Sequence, residues 1–251
     1  MNRNDILREM GLGPVWKLRA TPPQAPAEPI AVAAAVAVEA VAQDVPVVAP
    51  IVPIVPIIPA APAAAMDWDE LAATVAACRQ CRLCETRKQA VLGVGDRNAD
   101  WLFVGEGPGA EEDERGEPFV GQAGKLLDNM LAAIGLKRGE DVYIADAVKC
   151  RPPENRTPAP EEAAACKPWL ERQIELIQPK LIVALGRPAA QTLLQAEVKI
   201  AAARGKLHDY RGIPVIVTYH PAYLLRTLPD KARAWEDLCF MKRTMQERKG
   251  G

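Results

Sequence analysis

From Met66 onward the sequence alternates short apolar runs with longer stretches of helical spacing, and this alternation restricts the fold more than any other feature. Trp101–Val104, Val142–Val148, Lys180–Leu185 and Ile213–Tyr219 have the character of strands. Ala123–Ile134, Pro160–Ile177, Pro188–Leu194 and Asp230–Arg248 have helical spacing, with Gly135 and Pro179 as stop signals. Strands interleaved with helices predict a three-layer α/β/α domain around a central, mostly parallel sheet. In such sheets the working residues sit on loops beyond the carboxyl ends of the strands. Gly105–Gly109, Lys149–Asn155, Gly186 and His220 all fall there.

The chain before Met66 has a different composition. Residues 1–19 contain a short helical segment, Asp5 to Met10, closed by Gly11 and Gly13. Residues 20–65 are dominated by Ala, Val, Ile and Pro, and Pro50, Pro53, Pro56, Pro59 and Pro62 recur every third residue. Polyproline II has three residues per turn, so these prolines line one edge of an extended rod. The uncharged run from Val45 to Met66 is no membrane span, because its six prolines break too many helical hydrogen bonds. The expected organisation is a helical segment (1–19), a disordered Ala/Pro-rich linker arm (20–65) and one globular domain (66–251).

Formal net charge is −1, so the whole chain does not announce a nucleic-acid binder. Its distribution is more informative. Residues 199–251 carry eleven Lys/Arg against five Asp/Glu, whereas residues 66–118 carry twelve Asp/Glu against six Lys/Arg. A basic C-terminal section suits a phosphate backbone, and equally a solvated helix. The N-terminus has no long hydrophobic core or small-residue cleavage site, and the cysteines are grouped. Both features point to a reducing compartment, the cytoplasm, and to metal or redox chemistry instead of disulfides.

Cys78, Cys81 and Cys84 lie close together, and Cys150 and Cys166 follow far downstream. Zinc ribbons usually show two short knuckles, and the second is missing. A cubane needs four thiolates around a larger body, which suits two separated segments converging on it. Spacing alone does not decide which four of the five are ligands. Cys239, between Leu238 and Phe240, is a core residue.

Individually the other signals are weak. Gly105-Glu106-Gly107-Pro108-Gly109 after a strand is neither a full dinucleotide fingerprint nor a Walker loop. Phe119 is one of three phenylalanines and His220 one of two histidines, and either type alone is ordinarily a packing residue.

In combination they are specific. GEGPGAEED (105–113), GEPFVGQAGKLL (116–127), VKCRPPENRTP (148–158), EEAAAC (161–166), IVALG (182–186) and HPAYLLR (220–226) occur in order. The chain resembles the family 4 uracil-DNA glycosylases, the thermostable iron–sulphur type, over nearly all of residues 75–240. The resemblance implies a hydrolase of base-excision repair that flips uracil out of DNA and cuts its N-glycosidic bond. It implies a [4Fe–4S] cluster on Cys78, Cys81, Cys150 and Cys166, with Cys84 a neighbour that is not a ligand.

The same resemblance assigns the pocket. Phe119 would stack on the flipped pyrimidine, and the backbone of Gly105, Glu106 and Gly107 would approach its ring. His220 would donate to the uracil oxygen that gains charge. Glu106 and Asn155 would place water or the sugar-phosphate. Leu224, Leu225 and Arg226 would form a loop that wedges into the vacated DNA stack. The water-activating aspartate of a related glycosylase family has no counterpart, since Gly107 stands at its position.

One residue departs from the family. Asp146 stands where an Asn usually contacts the base edge. A catalytically silent DNA-binding module of the same fold, acting with another repair or replication protein through the N-terminal arm, is the alternative. A small electron carrier has no use for the GEGPG and HPAYLLR segments. The expected partner is uracil-containing DNA, single- or double-stranded, bound by a monomer with no membrane association.

Overall fold

Four apolar runs form the parallel heart of a six-stranded sheet in the computed structural model, which describes residues 63–249. The expectations for residues 1–62 lie outside the described residues. The strands are β1 (Val94–Gly95), β2 (Trp101–Gly105), β3 (Val142–Asp146), β4 (Leu181–Leu185), β5 (Leu207–Tyr210) and β6 (Ile213–Thr218). Their order is β1-β3-β2-β4-β6-β5. β3, β2, β4 and β6 run parallel, and β1 and β5 add antiparallel edges. The expected three-layer α/β architecture is present.

Every residue of β2, β3 and β4 is buried, as parallel strands covered on both faces must be. Alternation along each strand divides the core. Phe103, Val183 and Ile216 pack on one face with α4 (Gln122–Ala133), α8 (Pro221–Arg226) and α9 (Lys231–Lys249). Leu102, Val104, Ile182, Ala184 and Val217 pack on the other with α5 (Pro160–Ile177) and α6 (Arg187–Leu194).

A third, smaller core holds Leu71 and Val75 of α1 (Trp68–Ala77), Leu83 of α2 (Leu83–Thr86), and Val148, Cys150, Cys166 and Trp169. α1 begins at a capping box, in which Asp67 Oδ1 accepts from the Asp69 and Glu70 amides at 2.9 Å each. Ala63 packs against this core and its carbonyl accepts from the Met66 amide at 3.2 Å. Residues 63–65 form a 3-10 turn.

The strand order reverses at β2, whose neighbours are β3 on one side and β4 on the other. A crevice opens at the carboxyl end of such a strand. Gly105–Gly109 leaves β2 there and runs into α3 (Ala110–Arg115).

Candidate active site

Gly105 and Asp146 are register partners at the carboxyl ends of β2 and β3. A Cβ at Gly105 would lie 2.6 Å from Phe119 Cε2 and would also strike the Asp146 carboxylate. Glycine is therefore required for these three residues to meet. Phe119 itself has φ +55°, a conformation that costs a non-glycine residue roughly 1–3 kcal/mol.

Two side chains hold it there. Arg138 donates from Nη1 to the Pro118 carbonyl and from Nη2 to the Phe119 carbonyl, both at 2.9 Å. Glu112 Oε1 accepts from the Val120 and Gly121 amides at 3.0 and 3.2 Å, while Oε2 accepts from the Gly109 amide at 3.1 Å. One carboxylate thus ties the glycine turn after β2 to the Phe119 loop.

His220 follows β6 and caps α8. Its Nδ1 accepts from the Ala222 amide at 3.2 Å, which leaves the proton of a neutral ring on Nε2. Burial, with help from the positive charge of Arg226, pushes the imidazole down to about 4. His220 is accordingly a neutral N–H donor at physiological pH. Its ring lies 5.4 Å from that of Phe119, tilted by 31°. Behind it, Gly186 has φ +90°, and a Cβ there would come 3.0 Å from His220 Cβ.

The strand end that carries His220 is braced from below. The Thr218 hydroxyl donates to Asp237 Oδ2 at 2.7 Å, and Arg204 Nε donates to the same oxygen at 3.1 Å. Thr218 and Asp237 are both buried.

These elements enclose a cavity of about 760 Å³, within the size range of small-molecule sites. Glu106, Phe119, Asp146, Asn155, Arg187 and His220 all line it. Burial pushes the Glu106 carboxyl up, while the Thr157 hydroxyl and the Arg187 charge oppose that shift. Burial also raises the Asp146 carboxyl, which Lys149 counters and Glu112 and Glu106 reinforce. Asn155, at φ +54°, accepts from Arg151 Nε through its Oδ1 at 2.7 Å. The arrangement offers a flat apolar wall, a neutral donor and carboxyl groups, a set suited to a planar heterocycle.

The cysteines form a second centre. Cys150 and Cys166 are buried in the small core, with Cys78 and Cys81 packed against it. Arg87 Nη1 donates to Cys150 Sγ at 2.8 Å and the Lys149 amide to Cys166 Sγ at 3.3 Å. Burial raises the Cys150 thiol to about 11 and the Cys166 thiol to about 12. Among the described residues, no three His, Cys, Asp or Glu side chains close around a single ion. Four soft donors with N–H groups aimed at two of the sulphurs fit a larger, thiolate-bound iron–sulphur group.

The family model of the Uracil DNA glycosylase superfamily matches residues 92–239, which include every residue that lines the cavity. The chain belongs to the uracil DNA glycosylase superfamily. It is 48% identical over 165 residues to the type-4 uracil-DNA glycosylase of Archaeoglobus fulgidus, covering 62% of this chain and 82% of that protein. It is 49% identical over 161 residues to the type-4 enzyme of Thermotoga maritima, covering 63% and 83%. The type-4 enzyme of Pyrobaculum aerophilum is 45% identical over 184 residues, covering 70% and 93%.

In this superfamily member the structure brings Glu106, Gly107, Phe119, Asp146, Asn155 and His220 to one cavity, and Gly105 abuts two of them, Phe119 and Asp146, without lining it. Residues 224–226 are corrected: they form the last turn of helix α8 and not a loop, and Leu224 is only 1% exposed. A side chain packed in the core cannot enter DNA. Leu225 and Arg226 are exposed. Sequence reasoning missed Glu112, Arg138 and Arg187. Glu112 carried a local signal, since it stands three residues into a helix that starts at Gly109, the place of the acidic partner in a capping box.

Proposed function

We propose that the chain hydrolyses the N-glycosidic bond of uracil in DNA. The observation that carries this reading is His220, a half-buried neutral imidazole with its proton on Nε2, which lines the same cavity as Phe119. A flipped uracil stacks on Phe119 and accepts a hydrogen bond from Nε2 at its O2. As the N1–C1′ bond breaks, its electron pair moves onto the base, and charge grows on O2. A donor placed at developing charge contributes roughly 2.7–4 kcal/mol. The sugar becomes an oxocarbenium ion, which Glu106 stabilises electrostatically and water captures with loss of a proton. Asn155 supports the water or the sugar-phosphate, and Leu225 with Arg226 meets the strand around the gap. The superfamily membership and the type-4 relatives support uracil as the base.

Cys78, Cys81, Cys150 and Cys166 would hold a [4Fe–4S] cluster, which supplies a structural tie between two loops when bound. Cys84 stays outside the small core that packs those four. The enzyme is read as a cytoplasmic monomer. Among the described residues, no helix is long and apolar enough to cross a membrane.

The experiment is incubation with a single-stranded oligonucleotide bearing one uracil. Free uracil and an alkali-labile abasic site are expected. Binding without release would instead identify a silent DNA-binding module.

A further inference from the structure

Arg87 follows α2, directly after the segment that carries Cys78 and Cys81, and its guanidinium reaches across to the other pair of cysteines. Nη1 donates to Cys150 Sγ at 2.8 Å, and Nη2 donates to the carbonyls of Ala76 and Cys78 at 2.7 and 3.0 Å. One planar group therefore joins the end of α1, the first cysteine and the third. The other cation nearby, Lys149, is buried and donates its ammonium to the Asp146 carbonyl at 2.7 Å. Among the described residues, Arg87 is the side chain whose charged donor is aimed at a cysteine sulphur.

We propose that Arg87 is the positioning residue of the metal centre, fixing the first cysteine segment to Cys150 and offsetting negative charge on the thiolates. The inference rests on the [4Fe–4S] reading above. Four thiolates give such a cluster a net negative charge, and hydrogen bonds to the sulphurs and local charge set its reduction potential. Arg suits the task because its fork makes several bonds in one plane while keeping its charge. A lysine at this position keeps the charge but cannot span three acceptors in that geometry.

The test compares the anaerobically purified full chain with Arg87→Lys and Arg87→Met. Iron and sulphide per chain, the half-time of bleaching by a ferrous chelator and the midpoint potential are measured. Arg87→Met should bleach at least tenfold faster and show a more negative potential, because an electron then enters a centre with less positive surroundings. Arg87→Lys should bleach faster too, with a potential close to that of the native chain. Native retention and native potential in Arg87→Met would overturn the proposal. Faster bleaching at an unchanged potential would overturn the charge role. A native chain without iron and sulphide would overturn the cluster itself, and this outcome is distinct from failure of Arg87 alone.

Discussion

The ring of Phe119 lies 5.4 Å from the imidazole of His220, although one belongs to the segment that leaves β2 and the other follows β6, two strands that β4 separates. A flat wall and a hydrogen-bond donor thereby address one volume. Their spacing depends on Gly105, whose missing side chain leaves room for the Phe119 edge and the Asp146 carboxylate. Gly105→Ala is expected to displace both and to slow uracil release by about tenfold or more, the scale of losing a base-stacking contact of roughly 1–3 kcal/mol. Single-turnover rates of the native chain and the variant check this.

Leu224 and Leu225 are adjacent in sequence but opposite in environment, at 1% and 41% exposure. Leu224→Ala empties a core position and should cost about 2–5 kcal/mol of stability. Leu225→Ala should leave stability within about 0.5 kcal/mol, as surface substitutions do. It should instead slow release from duplex DNA more than from single strands. Denaturant unfolding and paired substrates separate the two effects.

The buried Asp237 and the half-buried Arg204 form an ion pair beneath the strand end that carries His220, with Nη2 to Oδ1 at 3.0 Å. Asp237→Ala removes the acceptor of the buried Thr218 hydroxyl, while Arg204 keeps its ion pair with Glu236 at 3.0 Å. The expected loss is about 1–3 kcal/mol in equilibrium unfolding. Thr218→Val, which removes one neutral partner, should cost less.

The central strands were legible because continuous apolar runs mark strands buried on both faces. The edges were not. β1 has two residues, and β5 is Leu-His-Asp-Tyr, mostly exposed, so neither shows a period. At residues 220–226 the local signals favoured a helix, since His220 is the cap and Pro221 the first helical residue, and a loop was expected instead. The resulting turn sends Leu224 inward. Phe119, His220 and the glycine turn were legible through their motifs. Arg138 was not, because its bonds to the Phe119 loop span 19 and 20 residues and leave no local pattern.

Asp146 is expected to make uracil release pH-dependent. Its carboxyl is raised by burial, with Lys149 opposing and Glu112 and Glu106 reinforcing the shift. It is therefore protonated below that raised pKa and ionised above it. A protonated carboxyl would donate to uracil O4 and accept from N3–H, whereas an ionised one would face O4 with an unmatched oxygen. Uracil release should fall as pH rises through this pKa, and Asp146→Asn should abolish the fall. His220, at about 4, adds no titration across the window. Profiles that are flat from roughly pH 5 to 8, with an Asn variant no faster, would remove Asp146 from base reading.

The most direct measurement is the single-turnover rate of uracil release by the native chain and by His220→Ala, with DNA affinity determined alongside. The neutral Nε2–H donor is predicted to account for roughly a hundredfold or more of the rate. DNA affinity should change little, because the donor acts on charge that appears only as the bond breaks. Equal rates for the two proteins, or no uracil released by the native chain, would contradict the account.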